Sequence, residues 1–302
     1  MLRISLSFLA TSKEQLKAVK NTACKAVEAV LFNKEDLYSD KWEESWLNIL
    51  EATKLYGSKN VVFHFPVNYS DYVADKFVYL RLEESYKRAC DLNLAGIVVH
   101  SNRVRLINDW REIDLKTERE KVIEKLANVL NSYKNPYNTW IGLENMPVMD
   151  NYGIEIDPIF CYPEDFELIQ ETNIGITWDI CHYTNTMANV KEILTGKQNK
   201  KHYPNIQETT LEAFCSLKEK IVHWHLSAFQ GIANPDTKDE CKEGCLPYIS
   251  TLGENTYKKA VGYMNSISFN QIVTLELQEV NFLDRLNGKK GINWLQQQIK
   301  TE

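Results

Sequence analysis

The chain has 302 residues, 44% hydrophobic and 25% charged, with 12 glycines and 8 prolines, which fits a folded globular protein and excludes a fibrous or disordered one. A formal net charge of −6 argues against a broadly basic nucleic-acid surface, though it leaves room for a local basic patch. No run approaches the roughly 20 apolar residues of a membrane helix, and seven scattered cysteines, an odd number, read as free thiols in a reducing cytoplasm.

Along the chain, two periodicities alternate. Arg3–Leu9 reads as a first strand rather than a signal peptide. Glu14–Val27 then has helical spacing, with Leu16, Val19, Ala23 and Val27 on one face and a cap expected from Ser12 and Gln15. A β-rich run follows at Val27–Phe32, a helix at Trp42–Tyr56, a strand at Asn60–Phe65 and a helix at Phe77–Leu92. The pattern continues with a strand at Gly96–His100, a helix at Arg119–Tyr133, and strands at Thr139–Glu144, Ile174–Asp179, Lys220–Leu226 and Gln271–Glu276. Strands alternating with helices imply a parallel α/β sheet. A doubly wound open sheet has about five or six strands and a glycine-rich phosphate turn, and neither G-x-G-x-x-G nor G-x-x-x-x-G-K occurs here. Eight units in about 300 residues fit a closed (β/α)8 TIM barrel forming a single domain over residues 1–302. Arg103–Lys116 and Ala228–Asn255 read as insertions after the fourth and seventh strands, on the face where such barrels place their sites.

Six consecutive strands end in a residue able to bind metal or move a proton. They read VVFHFP (His64), GIVVHSN (His100), IGLENMP (Glu144), ITWDICH (Asp179, with His182 beyond), VHWHLS (His225) and VTLELQE (Glu276). Five of the six histidines lie in these runs. Side chains two apart share a strand face, so Val62, Val98, Gly142, Thr177, His223 and Thr274 should point into the barrel, with Trp178 and Trp224 pointing outward to the helices. A lone buried His or Glu is more often an ion-pair or core residue than a ligand. Three carboxylates meeting at one mouth, however, would repel one another and raise one another's pKa values unless a cation sat between them. Mixed carboxylate and imidazole groups suit a divalent metal ion, with manganese, magnesium, cobalt and zinc all compatible.

These motifs, in this order over nearly the whole chain, resemble the xylose isomerase-like barrel superfamily. It holds sugar isomerases and epimerases and also the endonuclease IV-like AP endonucleases of family 2. The resemblance rests on Glu144 in LEN, Asp179 and His182 in D-x-x-H, His225 in HL, Glu276 in LE, and the Leu252-Gly253-Glu254 turn. It implies metal ligation by Glu144, Asp179, His225 and Glu276, with a second site at His64 and His100. It also implies catalytic carboxylates at Glu144 and Glu276 and substrate contacts from His182, His64 and His100. A third ion of the endonuclease type would need an Asp-x-His where this chain has Pro247 and Ile249, which leaves Asp236, Asp239 or Cys241 as substitutes from the longer loop. After His225 the chain reads Leu-Ser-Ala-Phe, without the charged residue many sugar-acting members carry there.

The leading expectation is therefore a metal-dependent sugar or sugar phosphate isomerase or epimerase, working by proton transfer next to a carbonyl. The alternative is zinc-dependent phosphodiester hydrolysis on apurinic DNA, with Arg103, Arg105 and Arg111 following the backbone. The same arginines read more simply as solvated loop residues, or alternatively as a grip on a sugar phosphate, for which Arg103 is the candidate. A non-catalytic ligand-binding barrel is the third reading. Trp110 is a candidate pocket wall or a loop anchor, and Tyr69 and Tyr72 are candidates for the mouth. Cys241 and Cys245 read as loop thiols, and Cys181 as a small buried filler. Substrate identity, metal number and oligomeric state stay open at this point.

Overall fold

Eight parallel strands close on themselves in strict chain order in the computed structural model, which describes residues 2–267 and 271–299. They are β1 (Arg3–Leu9), β2 (Ala26–Val30), β3 (Val61–His64), β4 (Gly96–Val99), β5 (Trp140–Glu144), β6 (Gly175–Asp179), β7 (Ile221–Leu226) and β8 (Ile272–Leu275). β8 pairs with β1, Arg3 opposite Ile272, which seals the (β/α)8 barrel. The outer ring is built from α1 (Lys13–Lys20), α2 (Lys41–Tyr56), α3 (Lys76–Asp91), α4 (Leu115–Ser132), α5 (Ile180–Leu194), α6 (Glu254–Ile267) and α7 (Leu286–Ile299). Between β5 and β6 that place is taken by a 3₁₀ segment, Pro163–Glu171. No helix among the described residues is long and apolar enough to cross a membrane.

The eight expected strands are all present, each within two residues of its expected ends. The first helix is shorter than its periodicity suggests. It stops at Lys20, where the Thr22 hydroxyl donates to the Val19 carbonyl (2.7 Å) and the chain turns, so Val27 belongs to β2. Its cap is half of the expected box. Ser12 Oγ accepts from the Gln15 N–H, whereas Gln15 Oε1 reaches past Ser12 to the Leu9 N–H.

Inside the barrel the alternation places side chains in layers. At the floor, Ala26, Val62, Ala95, Val98 and Ile272 pack together with Trp140 against them. The next layer holds Thr177, His223, Thr274 and Glu28, all fully buried. Gly142 belongs here because a Cβ would stand 2.4 Å from Thr177 Oγ1. Trp178 and Trp224 face outward, ring centroids 5.1 Å apart, and Trp178 stacks on Phe214 at 4.6 Å. The polar ends of β3 to β8 form the top layer.

The two insertions are tied down rather than loose. Arg105–Leu106 pairs antiparallel with Glu155–Ile156 from the loop after β5, and Ala228–Gln230 pairs with Lys242–Cys245. Both small sheets stand over the mouth.

Candidate metal centre and pocket

Glu144, at the end of β5, is the hub. Its Oε2 lies 3.2 Å from His64 Nε2 and 3.2 Å from His100 Nε2. Its Oε1 lies 3.2 Å from His225 Nδ1 and 3.3 Å from His182 Nδ1. Burial alone would raise its pKa, but the neighbouring His225 and His100 charges overcome that and hold the carboxyl well below the usual range. Asp179 ends β6 and caps α5, its Oδ1 accepting from the His182 N–H at 2.6 Å. The Asn145 amide braces it by accepting from the Asp179 N–H (2.7 Å) and donating to the Asp179 carbonyl (3.0 Å). This leaves Asp179 Oδ2 facing inward, 3.8 Å from His225 Nδ1.

Glu276 stands at the mouth with 29% of its side chain exposed, its Oε2 3.4 Å from His225 Nδ1. Burial, reinforced by the negative charges of Glu144 and Asp179 and only partly offset by His225, pushes its carboxyl up to about 8. The two glutamates thus differ in character, one held well below the ordinary carboxylate range and the other pushed above it.

For His64 and His225, hydrogen bonds on the far side of the imidazole determine which nitrogen faces the centre. His64 Nδ1 meets the Phe65 carbonyl at 2.8 Å, leaving Nε2 inward. His225 Nε2 meets Glu28 at 3.2 Å, leaving Nδ1 inward. His182 Nδ1 meets the Asn145 carbonyl at 2.9 Å, leaving Nε2 toward the cavity, 4.0 Å from Glu243 Oε2. Burial opposes protonation of His182, but the charges of Asp179, Glu243, Glu144 and Glu276 raise its pKa to about 9. At His100 burial wins and the pKa falls; at His64 the Glu144 bond wins and it rises.

The donor set fits a divalent cation. Glu144 Oε1, Asp179 Oδ2 and His225 Nδ1 are buried without hydrogen-bond partners, and they face one another. Such orphaned buried atoms are rare unless a ligand or ion satisfies them. Potential ligand atoms of Glu144, Asp179, His225 and Glu276 all lie within 4.8 Å of one another, as do those of His64, His100 and Glu144. Each site residue expected at a strand end is thereby brought to one place, with Glu144 common to both sets.

Arg103 and Trp110 lie elsewhere. Arg103 is 6% exposed and paired with Glu118 (Nε to Oε2, 2.8 Å) and with Asp71, so its charge is consumed within the wall. Trp110 is buried, its Nε1–H donating to the Ile156 carbonyl (3.1 Å) under the Arg105 guanidinium, which makes it the loop anchor. Arg111 is exposed. Tyr69 lines the mouth, whereas Tyr72 is buried with its hydroxyl on the His100 carbonyl (3.0 Å). Asp236 pairs with His202 at 2.9 Å, Asp239 accepts from Thr237, and Cys241 Sγ accepts from Asn185, so none of the three substitutes from the loop faces the centre.

Two further acids do face it. Glu28 on β2, fully buried, accepts from His223 Nε2 (2.8 Å), His225 Nε2 (3.2 Å) and the Thr274 hydroxyl (2.9 Å). A lone acid inside the apolar strand AVEAV was a readable signal for it. Glu243 comes from the hairpin after β7, and nothing in its local sequence, Lys-Glu-Gly-Cys, distinguishes it from a solvated loop residue.

A cavity of about 220 Å³ sits directly over the ligands, lined by Glu144, Asp179, His182, Glu243 and Glu276. Among the described residues no lysine or arginine lines it, nor the outer cavity that adjoins it.

A family profile described as "Xylose isomerase-like TIM barrel" matches residues 16–298. No curated protein sequence matches the chain significantly. Among solved structures, D-psicose 3-epimerase with D-tagatose from Clostridium cellulolyticum H10 superposes with a TM-score of 0.62 at 11% identity, covering 99% of each chain. Endonuclease IV from Thermus thermophilus gives 0.62 at 14% identity, covering 98% of this chain and 99% of its own. The IOLI protein with a binding zinc atom gives 0.61 at 13% identity, covering 98% and 96%. At these identities the likeness is one of fold.

Proposed function

The chain belongs to the xylose isomerase-like TIM-barrel family, and from that premise we propose that it is a divalent-metal-dependent isomerase or epimerase of an uncharged sugar or polyol. The observation that carries this reading is a ligand quartet from four successive strands beneath a cavity with no lysine or arginine in its lining among the described residues. A phosphate or nucleic-acid substrate would call for basic residues there. When bound, the cation, whether manganese, magnesium, cobalt or zinc, supplies Lewis-acid stabilisation to negative charge developing on substrate oxygens.

The protein's own groups do the rest. Glu144, Asp179, His225 and Glu276 hold the cation. Glu276, at the open side of the quartet, exchanges a proton with the substrate carbon next to the carbonyl, and Glu144 serves the opposite transfer. His182, fixed through Nδ1 on Asn145, offers Nε2 to a substrate oxygen. His64 and His100 orient a second oxygen from the far side of Glu144. Glu276→Gln should lower solvent deuterium uptake into ketoses by roughly 10²-fold or more, followed by NMR on the folded, metal-loaded protein; unchanged exchange eliminates this role.

A second reading, phosphodiester hydrolysis on apurinic DNA, is favoured by one observation: Glu144 belongs to both candidate ligand groups, so its carboxylate would be available to a second ion held by His64 and His100. Metal stoichiometry separates the readings. One ion per chain supports sugar chemistry; two or three, with nicking of apurinic DNA, support the hydrolase.

A further inference from the structure

The pocket does not end at the metal ligands. A second cavity, about 380 Å³, opens outward from the first and shares Val67, His100, His182 and Glu243 with it. We propose that this outer cavity is a second sugar subsite, so that the substrate is a disaccharide or other glycoside whose uncharged glycosyl group sits there while the reacting sugar sits over the metal ligands. The proposal rests on the isomerase or epimerase reading and names its substrate class.

Size is the first argument. The inner cavity, about 220 Å³, falls below the roughly 300 Å³ at which clefts begin to hold drug-sized ligands, so it accommodates one small sugar. The outer cavity is within that range and would stand empty over a monosaccharide.

The lining chemistry is the second. Asp157 is only 4% exposed; its Oδ2 accepts from the Ser101 hydroxyl (2.6 Å) and the Arg103 N–H (3.0 Å), while Oδ1 has no partner. A buried acceptor left unpaired carries a desolvation penalty of about 1–3 kcal/mol, which a ligand hydroxyl would relieve. Around it Val104, Met146 and Ile156 offer an apolar surface for the C–H face of a sugar ring. At the rim Tyr69 and Tyr152 present rings that are 59% and 60% exposed. Tyr69 is held in place by its hydroxyl on Glu155 Oε2 (2.8 Å). Carboxylates together with apolar and aromatic faces, with His182 at the inner end as the one raised imidazole and no lysine or arginine, suit hydroxyl groups better than phosphate or carboxylate.

Calorimetry on the zinc-loaded full chain tests this with D-fructose and a panel of glucosyl-fructose disaccharides of different linkage: trehalulose, turanose, maltulose, leucrose and isomaltulose. The tightest disaccharide should bind at least tenfold more tightly than fructose. Val104→Trp, which fills the outer cavity, and the surface change Tyr152→Ala should each cut that gain to under threefold and leave fructose binding unchanged. Fructose binding with no gain for any disaccharide, or a gain that survives both substitutions, overturns the subsite alone. Absence of binding by every sugar overturns it together with the reading beneath it.

Discussion

The inner and outer halves of the pocket are built by different means. The inner half is made of strand ends, where hydrogen-bonded register sets each side chain: Asp179 lies opposite His225, and His225 opposite Thr274. The outer half is made of three loops that meet only in space, joined by the Arg105–Leu106 and Glu155–Ile156 pairing and by the ion pairs of Arg103. One half is held by backbone geometry and the other by buried charge, so they should fail separately.

The largest separation is expected from Arg103→Ala. Removing the guanidinium leaves Glu118, whose side chain is 7% exposed, with Lys121 as its remaining ion partner, and takes the arginine from Asp71. Breaking a buried ion pair costs up to about 3–5 kcal/mol, and Lys121 beside Glu118 keeps the loss at the lower end of that range. Thermal unfolding should therefore shift down by several degrees, while metal affinity measured below the new transition changes less than about twofold. An equal loss of metal affinity would show that the loop wall and the strand ends form one unit.

What the sequence discloses follows the same division. Alternation along a strand is a local rule, so the histidines and acids of β3 to β8 were readable as one ring, and Gly142, Thr177 and Thr274 as the layer below. Glu28 obeyed the same rule as the only charge in its strand, and attention to that inward position would have found it. Glu243 and Asp157 had no such rule. They reach the pocket because the β7 hairpin and the β5 loop fold back across the mouth, which involves pairings between residues far apart in the chain. Arg103 misled for a related reason: a cation in a mouth loop looks available until Asp71 and Glu118, from two other segments, are seen to enclose it.

Glu28→Gln tests how deep the strand-built half extends. Glu28 holds the Nε2 side of His225 and so keeps Nδ1 toward the centre. Carboxylates behind a ligating imidazole raise its basicity, and their loss typically weakens metal binding about 10–100-fold. The amide keeps the shape but loses the charge, so metal affinity should fall within that range while the sugar preferences set by the outer half stay as they were. A change under twofold would reduce Glu28 to barrel filling.

The test that isolates the inner half most directly is the pH dependence of metal uptake. Without a cation, Glu276 titrates near 8 and His225 well above its ordinary value, because burial at Glu276 is joined by neighbouring negative charge, and at His225 the Glu144 and Glu276 charges outweigh burial. Below those values both groups carry protons that a cation must displace, since ligands bind metal in deprotonated form. Affinity should therefore rise with pH, about tenfold per unit for each proton released, between pH 6 and 7.5. Calorimetry in two buffers of different ionisation enthalpy reads the proton count directly, and at least one proton per ion is expected at pH 7. In Glu276→Gln the count should drop by about one. A count of zero in the unaltered protein would mean that the quartet is not where the metal sits. The outer half supplies the control: Asp157, whose carboxyl burial pushes up to about 6, touches no ligand, so Asp157→Asn should leave the proton count unchanged.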